Sequence, residues 1–201
     1  MSAPTSDRPR LPWDPPEHFE KRVPEGDNRE RLICARCEFI HYQNPKVVAG
    51  AVCTWGDGPD AKILLAKRAI EPRKGFWTLP AGYMELGETT EQAAQREARE
   101  EACAEIEIDR LLAMYSVARI GQVQIMYRAR LINENVAPGV ESEEVALVDW
   151  KDIPWDQLAF PTVVWALAHF HESRAKADFS TYSNPTGDLA RMWPPRKPEG
   201  V

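Results

Sequence analysis

Three glutamates in one helix-forming stretch, Glu97, Glu100 and Glu101, constrain this chain more than any other feature. The stretch reads GYMELGETTEQAAQREAREEACA from Gly82 to Ala104. At roughly 100° per residue, spacings of three and four bring the three carboxylates within an arc of about 100°. Like charges so placed cost a helix a few tenths of a kcal/mol per pair, so helix stability is a poor reason for them and a cation would resolve the conflict. Thr89 and Gln92 predict a capping box, in which each side chain satisfies the other's free backbone N–H. Ala94, Ala98 and Ala102 are expected to press onto a sheet. Ala93 and Ala104, small residues on the acidic face, are expected to leave room for a metal and an anionic ligand.

Read together, Gly82, five residues, Glu88, seven residues and then Arg96-Glu97-Ala98-Arg99-Glu100-Glu101 resemble the signature of the Nudix hydrolases. That pattern is G-x5-E-x7-R-E-U-x-E-E-x-G-U, with U aliphatic, and it is far more specific than a lone glycine motif. The resemblance implies an α/β fold: a mixed β-sheet sandwiched between helices, α/β/α. It also implies Mg2+ or Mn2+ held by Glu97, Glu100, Glu101 and the carbonyl of Ala81, with one carboxylate helping to deprotonate water. Arg96 and Glu88 become a supporting ion pair, and a further carboxylate from outside the box, Glu141 or Glu144, reaches the site, with Glu144 favoured. Cys103 stands where the pattern has a glycine. A left-handed helix exit is easy for glycine and strained for cysteine, so the helix end is the doubtful part; Cys103 itself reads as a small buried hydrophobe.

The formal net charge of −6 argues against binding nucleic acid or an anionic membrane, and favours a small anionic substrate handled through metal. With no apolar run long enough to span a bilayer and no hydrophobic signal core, the expected location is the cytoplasm. Dimerisation is plausible, because the chain ends carry apolar residues that need a place.

In order, residues 1–24 read as a proline-rich arm, 25–45 as a degenerate zinc-ribbon-like segment, 46–177 as the Nudix hydrolase domain and 178–201 as a polar, proline-rich tail, mobile or partner-dependent. In a subset of Nudix proteins the second region is a zinc ribbon with two cysteine pairs. Here only Cys34-x2-Cys37 is present. Structural zinc takes four ligands. His18 and His41 are the conceivable completions, and a remnant that keeps its shape by packing is the preferred reading over zinc at Cys34 and Cys37.

Strands are expected over 47–54 and 62–68 as a hairpin, over 105–108 and 111–117, over 123–131 by alternation, and over 145–150; a helix is expected over 162–177. His169 and His171 near its end would suit the helix dipole. Arg68, at a strand end, is the preferred phosphate contact, and Trp77 and Tyr83 are candidate ring-stacking groups.

The stretches EPRKGFWTLPAGYMELGET, ARIGQVQIMYRARL, APGVES and IPWDQLAFPT resemble the branch that contains plant FAD pyrophosphohydrolases and bacterial ADP-ribose pyrophosphatase-like proteins. The implied substrate is a dinucleotide or another nucleoside diphosphate derivative, with FAD, giving FMN and AMP, as first choice. ADP-ribose or NADH is the alternative, although the SQPWPFP stretch of NADH-cleaving relatives and the proline of many ADP-ribose-cleaving ones are missing. From another class, a Nudix module that binds nucleotide without turnover remains the contrasting reading.

Overall fold

The computed structural model describes residues 18–190, 194–198 and 200, and the chain divides into two compact units between Asn44 and Pro45. Most of the expected N-terminal arm therefore lies outside the described residues. Its last part does not behave as an arm. In the first unit β1 (Phe19–Arg22), β2 (Arg31–Cys34) and β3 (Ile40–His41) form an antiparallel sheet in that order, with Phe19 opposite Cys34 and Leu32 opposite His41. Arg22 pairs with Glu38, and Arg31 with Asp27 at 2.8 Å.

The second unit holds β4 (Lys46–Trp55), β5 (Lys62–Arg68), β6 (Trp77–Thr78), β7 (Ala81–Tyr83), α1 (Thr90–Ala102), β8 (Ile106–Val117), β9 (Gln122–Leu131), β10 (Ser142–Val148), α2 (Pro161–Ser173) and α3 (Gly187–Ala190). Its mixed sheet runs β10-β5-β4-β9-β8, with β6 on β5 and β7 on β4, and β4 and β9 are parallel. The expected hairpin pairs only beside its connecting loop, Thr54 with Ile63 and Trp55 with Lys62. The two short strands expected before and after residue 110 are one strand, β8, which absorbs two register shifts against β9.

Strand alternation sorts the core into two layers. Ala51, Cys53 and Leu64 face Ala93, Ala94, Ala98 and Ala102 of α1, while Val52, Ile63 and Leu65 face α2 through Val163, Val164 and Leu167. The sheet is thus sandwiched between helices, as expected. Ala93 and Ala104 are corrected: both are fully buried in the α1 layer and open no space for a ligand.

The capping box at the start of α1 is present, with Gln92 N–H donating to Thr89 Oγ1 at 3.2 Å and Thr89 N–H to Gln92 Oε1 at 2.8 Å. At the other end Cys103 takes the left-handed conformation itself, φ 48° and ψ 29°, and is exposed, not buried. A non-glycine residue there costs about 1 kcal/mol. Cys103→Gly is therefore expected to stabilise the fold by about 1 kcal/mol, read as a rise of roughly 2–4 °C in Tm by calorimetry.

Against the mobile half of the expectation of a mobile or partner-dependent tail, the described part of the C-terminal segment is anchored at Tyr182 and Leu189. Tyr182 N–H donates to Leu112 O at 2.9 Å and its carbonyl accepts from Met114 N–H at 3.0 Å, which extends the sheet past the edge of β8. Trp165 Nε1 donates to Leu189 O at 2.9 Å. His169 is buried and tied to the Tyr115 hydroxyl at 2.8 Å, with Tyr182 stacked on it. Burial lowers its proton affinity, which opposes the helix-dipole role expected for it.

Candidate active site

The acidic face of α1 meets β7 and the two loops that flank it. Glu97 and Glu101 are 8% and 6% exposed, unusual for carboxylates, whereas the Glu100 side chain is 56% exposed. Gly82 makes the burial of Glu97 possible, since a Cβ there would stand 2.3 Å from the carboxylate. Glu101 Oε2 accepts from the N–H of Ala81 at 3.2 Å. That N–H is the recorded contact of Ala81 with the acidic face.

Arg96 organises the near side. Its guanidinium donates to both oxygens of Glu88 at 2.8 and 3.1 Å, to Glu97 at 2.7 Å, to Glu100 at 2.9 Å and to the carbonyl of Tyr83 at 2.9 Å. Glu88 also accepts from the N–H of Glu85 at 2.7 Å, and the Arg96 bond followed by this backbone bond holds its proton affinity below the ordinary value. The expected Arg96–Glu88 pair therefore ties the loop before α1 to the helix.

Burial raises the proton affinity of Glu97, only partly offset by Arg96. It pushes the Glu101 carboxyl up to about 8, against the pull of the Ala81 N–H and the positive field of Arg68, and with repulsion from Glu97 and Glu141 added. Such shifts concentrate at working sites.

Of the two outside carboxylates, Glu141 is the one whose charge reaches both Glu97 and Glu101. Glu144, the favoured one, stands opposite Lys67 on β10 and pairs with its Nζ at 3.7 Å; the register of β10 turns it to that lysine. The position of Glu141 depends on a residue that sequence reasoning passed over. Gly139 N–H donates to Glu101 O at 3.1 Å and Ala137 N–H to Ala102 O at 3.0 Å, so the loop caps the last carbonyls of α1. A Cβ on Gly139 would fall 1.7 Å from the carbonyl oxygen of Glu100. The Pro-Gly step in APGVES was a legible turn signal, but a turn signal does not reveal what the turn rests on.

The candidate substrate residues divide. Arg68 carries a positive charge that reaches Glu101, with its Nε bonded to Pro72 O at 2.8 Å and its guanidinium over the Phe160 ring at 5.3 Å. Trp77 is half-buried against the α2 layer, with Lys67 over its ring at 5.9 Å. Tyr83 is 50% exposed, flanked by Lys46 at 4.7 Å from its ring and hydrogen-bonded by Gln122 at 3.0 Å. A cavity of about 590 Å³ elsewhere on this unit, lined by Thr54, Arg128, Phe170 and Arg174 among others, contains none of these residues.

Sharing a helix face does not make the three box glutamates converge. Among the described residues no three His, Cys, Asp or Glu side chains are gathered to hold one ion. Glu97 and Glu100 each commit an oxygen to Arg96, and Glu101 commits one to Ala81. The donor set still suits a hard divalent ion: all-oxygen, with two buried carboxylates of raised proton affinity, and Mg2+ needs only one or two carboxylates when water and substrate phosphate complete its shell.

A family model described as NUDIX domain matches residues 44–172, and one described as Nudix N-terminal matches residues 17–43. The chain belongs to the Nudix hydrolase family. A Nudix hydrolase structure from Nitrosomonas europaea is 44% identical, with a TM-score of 0.75, covering 82% of this chain and 93% of that one. The ADP-ribose pyrophosphatase of Methanocaldococcus jannaschii is 35% identical over 59% of this chain and 69% of its own length. The NAD-capped RNA hydrolase NudC of Vibrio atlanticus is 26% identical over 63% and 44%. A Caenorhabditis elegans nudix hydrolase is matched over only 35% of its length. No helix among the described residues of this Nudix protein is long and apolar enough to cross a membrane.

Proposed function

We propose that this Nudix protein hydrolyses the pyrophosphate bond of an ADP-containing nucleoside diphosphate derivative. The observation that carries the reading is the pair of buried carboxylates, Glu97 and Glu101, with Arg96 bonded to Glu97 and the positive charge of Arg68 reaching Glu101. Glu97 and Glu101 would hold Mg2+ or Mn2+, with Glu100 and Glu141 at the rim. When bound, the ion would neutralise the diphosphate and acidify the attacking water.

The chain's own groups do the rest. Arg96 fixes the loop of Glu88 and the side chains of Glu97 and Glu100 in one orientation. Glu101, ionised once the ion is bound, is suited to assist the removal of a proton from the attacking water. Arg68 orients a phosphate oxygen by a charge-assisted hydrogen bond. Tyr83, exposed beside Lys46, offers a ring face to a base or flavin, whereas Trp77 is largely occupied by packing.

ADP-ribose is the favoured substrate, supported by the name of the M. jannaschii relative, and its hydrolysis yields AMP and ribose 5-phosphate. FAD, which shares the ADP half, is the second reading and rests on the resemblance carried by four stretches between Glu71 and Thr162. A panel of ADP-ribose, FAD, NADH, diadenosine polyphosphates and nucleoside triphosphates, assayed with Mg2+ and Mn2+ and resolved by chromatography, separates them. The expected result is AMP formation from ADP-ribose or FAD in preference to the triphosphates. Binding without turnover on every member would leave a nucleotide-binding module.

A further inference from the structure

In the N-terminal unit, β2 ends in a tight turn. Cys34 N–H donates to Phe39 O and Glu38 N–H to Cys34 O, both at 2.9 Å, and Glu38 takes a positive φ of 60°. The turn carries Cys34, buried, and Cys37, exposed, and both are free thiols. Turns of this kind hold half of a four-thiolate zinc site. The sequence has no second C-x2-C pair: its two remaining cysteines, Cys53 and Cys103, stand fifty residues apart.

The neighbouring side chains do not make good the loss. Phe19, opposite Cys34 in the β1–β2 register, packs its ring on His18 at 5.1 Å and on His41 at 6.4 Å between centroids. The Phe19 ring is thus in contact with both imidazoles that could have joined the thiols. No third ligand is gathered with the two sulfurs among the described residues. Two thiolates do not fit structural zinc.

We propose that Cys34 and Cys37 form a reversible thiol–disulfide site, oxidised by small-molecule disulfides, in a unit that folds without zinc. The turn closed by the Cys34–Phe39 and Glu38–Cys34 backbone bonds holds the two cysteines three residues apart, with the backbone N–H groups of Arg36 and Cys37 toward Cys34. The N–H groups, followed by the Cys37 thiol, lower the proton affinity of Cys34 and so favour its thiolate. Exposed Cys37 attacks the small disulfide and releases one thiolate, forming a mixed disulfide. The Cys34 thiolate then attacks the Cys37 sulfur, forms the internal S–S bond and releases the second thiolate. The two cysteines lose two electrons and two protons, and the small disulfide is reduced to two thiols.

The test uses the full chain. Zinc content is measured as purified without chelator, and the protein is equilibrated in glutathione and glutathione disulfide buffers, quenched by alkylation and mapped by mass spectrometry. The expected result is no stoichiometric zinc, a Cys34–Cys37 peptide that has lost two hydrogens and gained no adduct, and full return to two alkylated thiols in reduced glutathione. Cys103, exposed and solitary, should carry a glutathione adduct in the same sample. In Cys37→Ser, Cys34 should stay reduced. One zinc per chain bound through these thiols would overturn the proposal. So would a stable glutathione adduct on Cys37 beside a reduced Cys34, or two reduced thiols in a sample where Cys103 is modified.

Discussion

Glu101→Gln is expected to lower turnover about a thousandfold while leaving the fold intact, the scale of effect seen when one electrostatic group of a preorganised site is lost. The amide keeps an oxygen for the Ala81 N–H and fills the same volume, so the loss is one of charge and basicity. Stability moves the other way. The folded carboxyl has its affinity raised from 4.5 to about 8, so its protonated form suits the fold. The metal-free wild type is most stable below the unfolded value and loses up to roughly 4 kcal/mol from this group as pH rises through 8. Thermal melts of metal-free protein should therefore show the variant to be the more stable at pH 9 and the two equal near pH 4. Near-normal turnover in Glu101→Gln at saturating metal would remove Glu101 from the chemistry.

Gly139→Ala is expected to cost about 3 kcal/mol, a fall of roughly 6–12 °C in Tm, and on the order of a hundredfold in kcat. The added methyl would overlap the carbonyl of Glu100, so the loop must lift. Lifting breaks its two hydrogen bonds to the end of α1 and moves Glu141 away from Glu97 and Glu101. Val140→Ala is the control: Val140 is 94% exposed, and its truncation should change stability by less than about 0.5 kcal/mol. A Gly139→Ala protein with wild-type kcat would show that the loop has no part in positioning the site.

What the sequence disclosed follows from locality. The capping box and the sheet-facing alanines of α1 rest on spacings within one helix or its entering loop, and spacing is what a sequence records; the Arg96–Glu88 pair was implied by the family resemblance. The strand Gln122–Leu131 was legible because its alternation is uninterrupted, whereas the register shifts of β8 split one strand into two apparent pieces. The sequence favoured Glu144 over Glu141, yet the surroundings of each depend on the register of β10 against β5 and on a loop resting on α1, which local spacing does not record. The docked tail escaped notice for a related reason. Its proline and polar content is that of a linker, and its anchors, Tyr182 and Leu189, are single residues whose partners lie on β8 and α2. The box glutamates share a face on a helical wheel, which does not reveal that Glu97 and Glu100 each bond Arg96.

Titration calorimetry of Mn2+ binding at pH 7, in two buffers of different ionisation enthalpy, tests most directly whether Glu97 and Glu101 hold the cation. Glu101, mostly protonated at that pH without metal, must ionise to bind, so wild type should release about one proton per binding event and Glu101→Gln should bind weakly with little release. Binding of equal strength by both proteins, with no proton released, would place the metal elsewhere and contradict the site described.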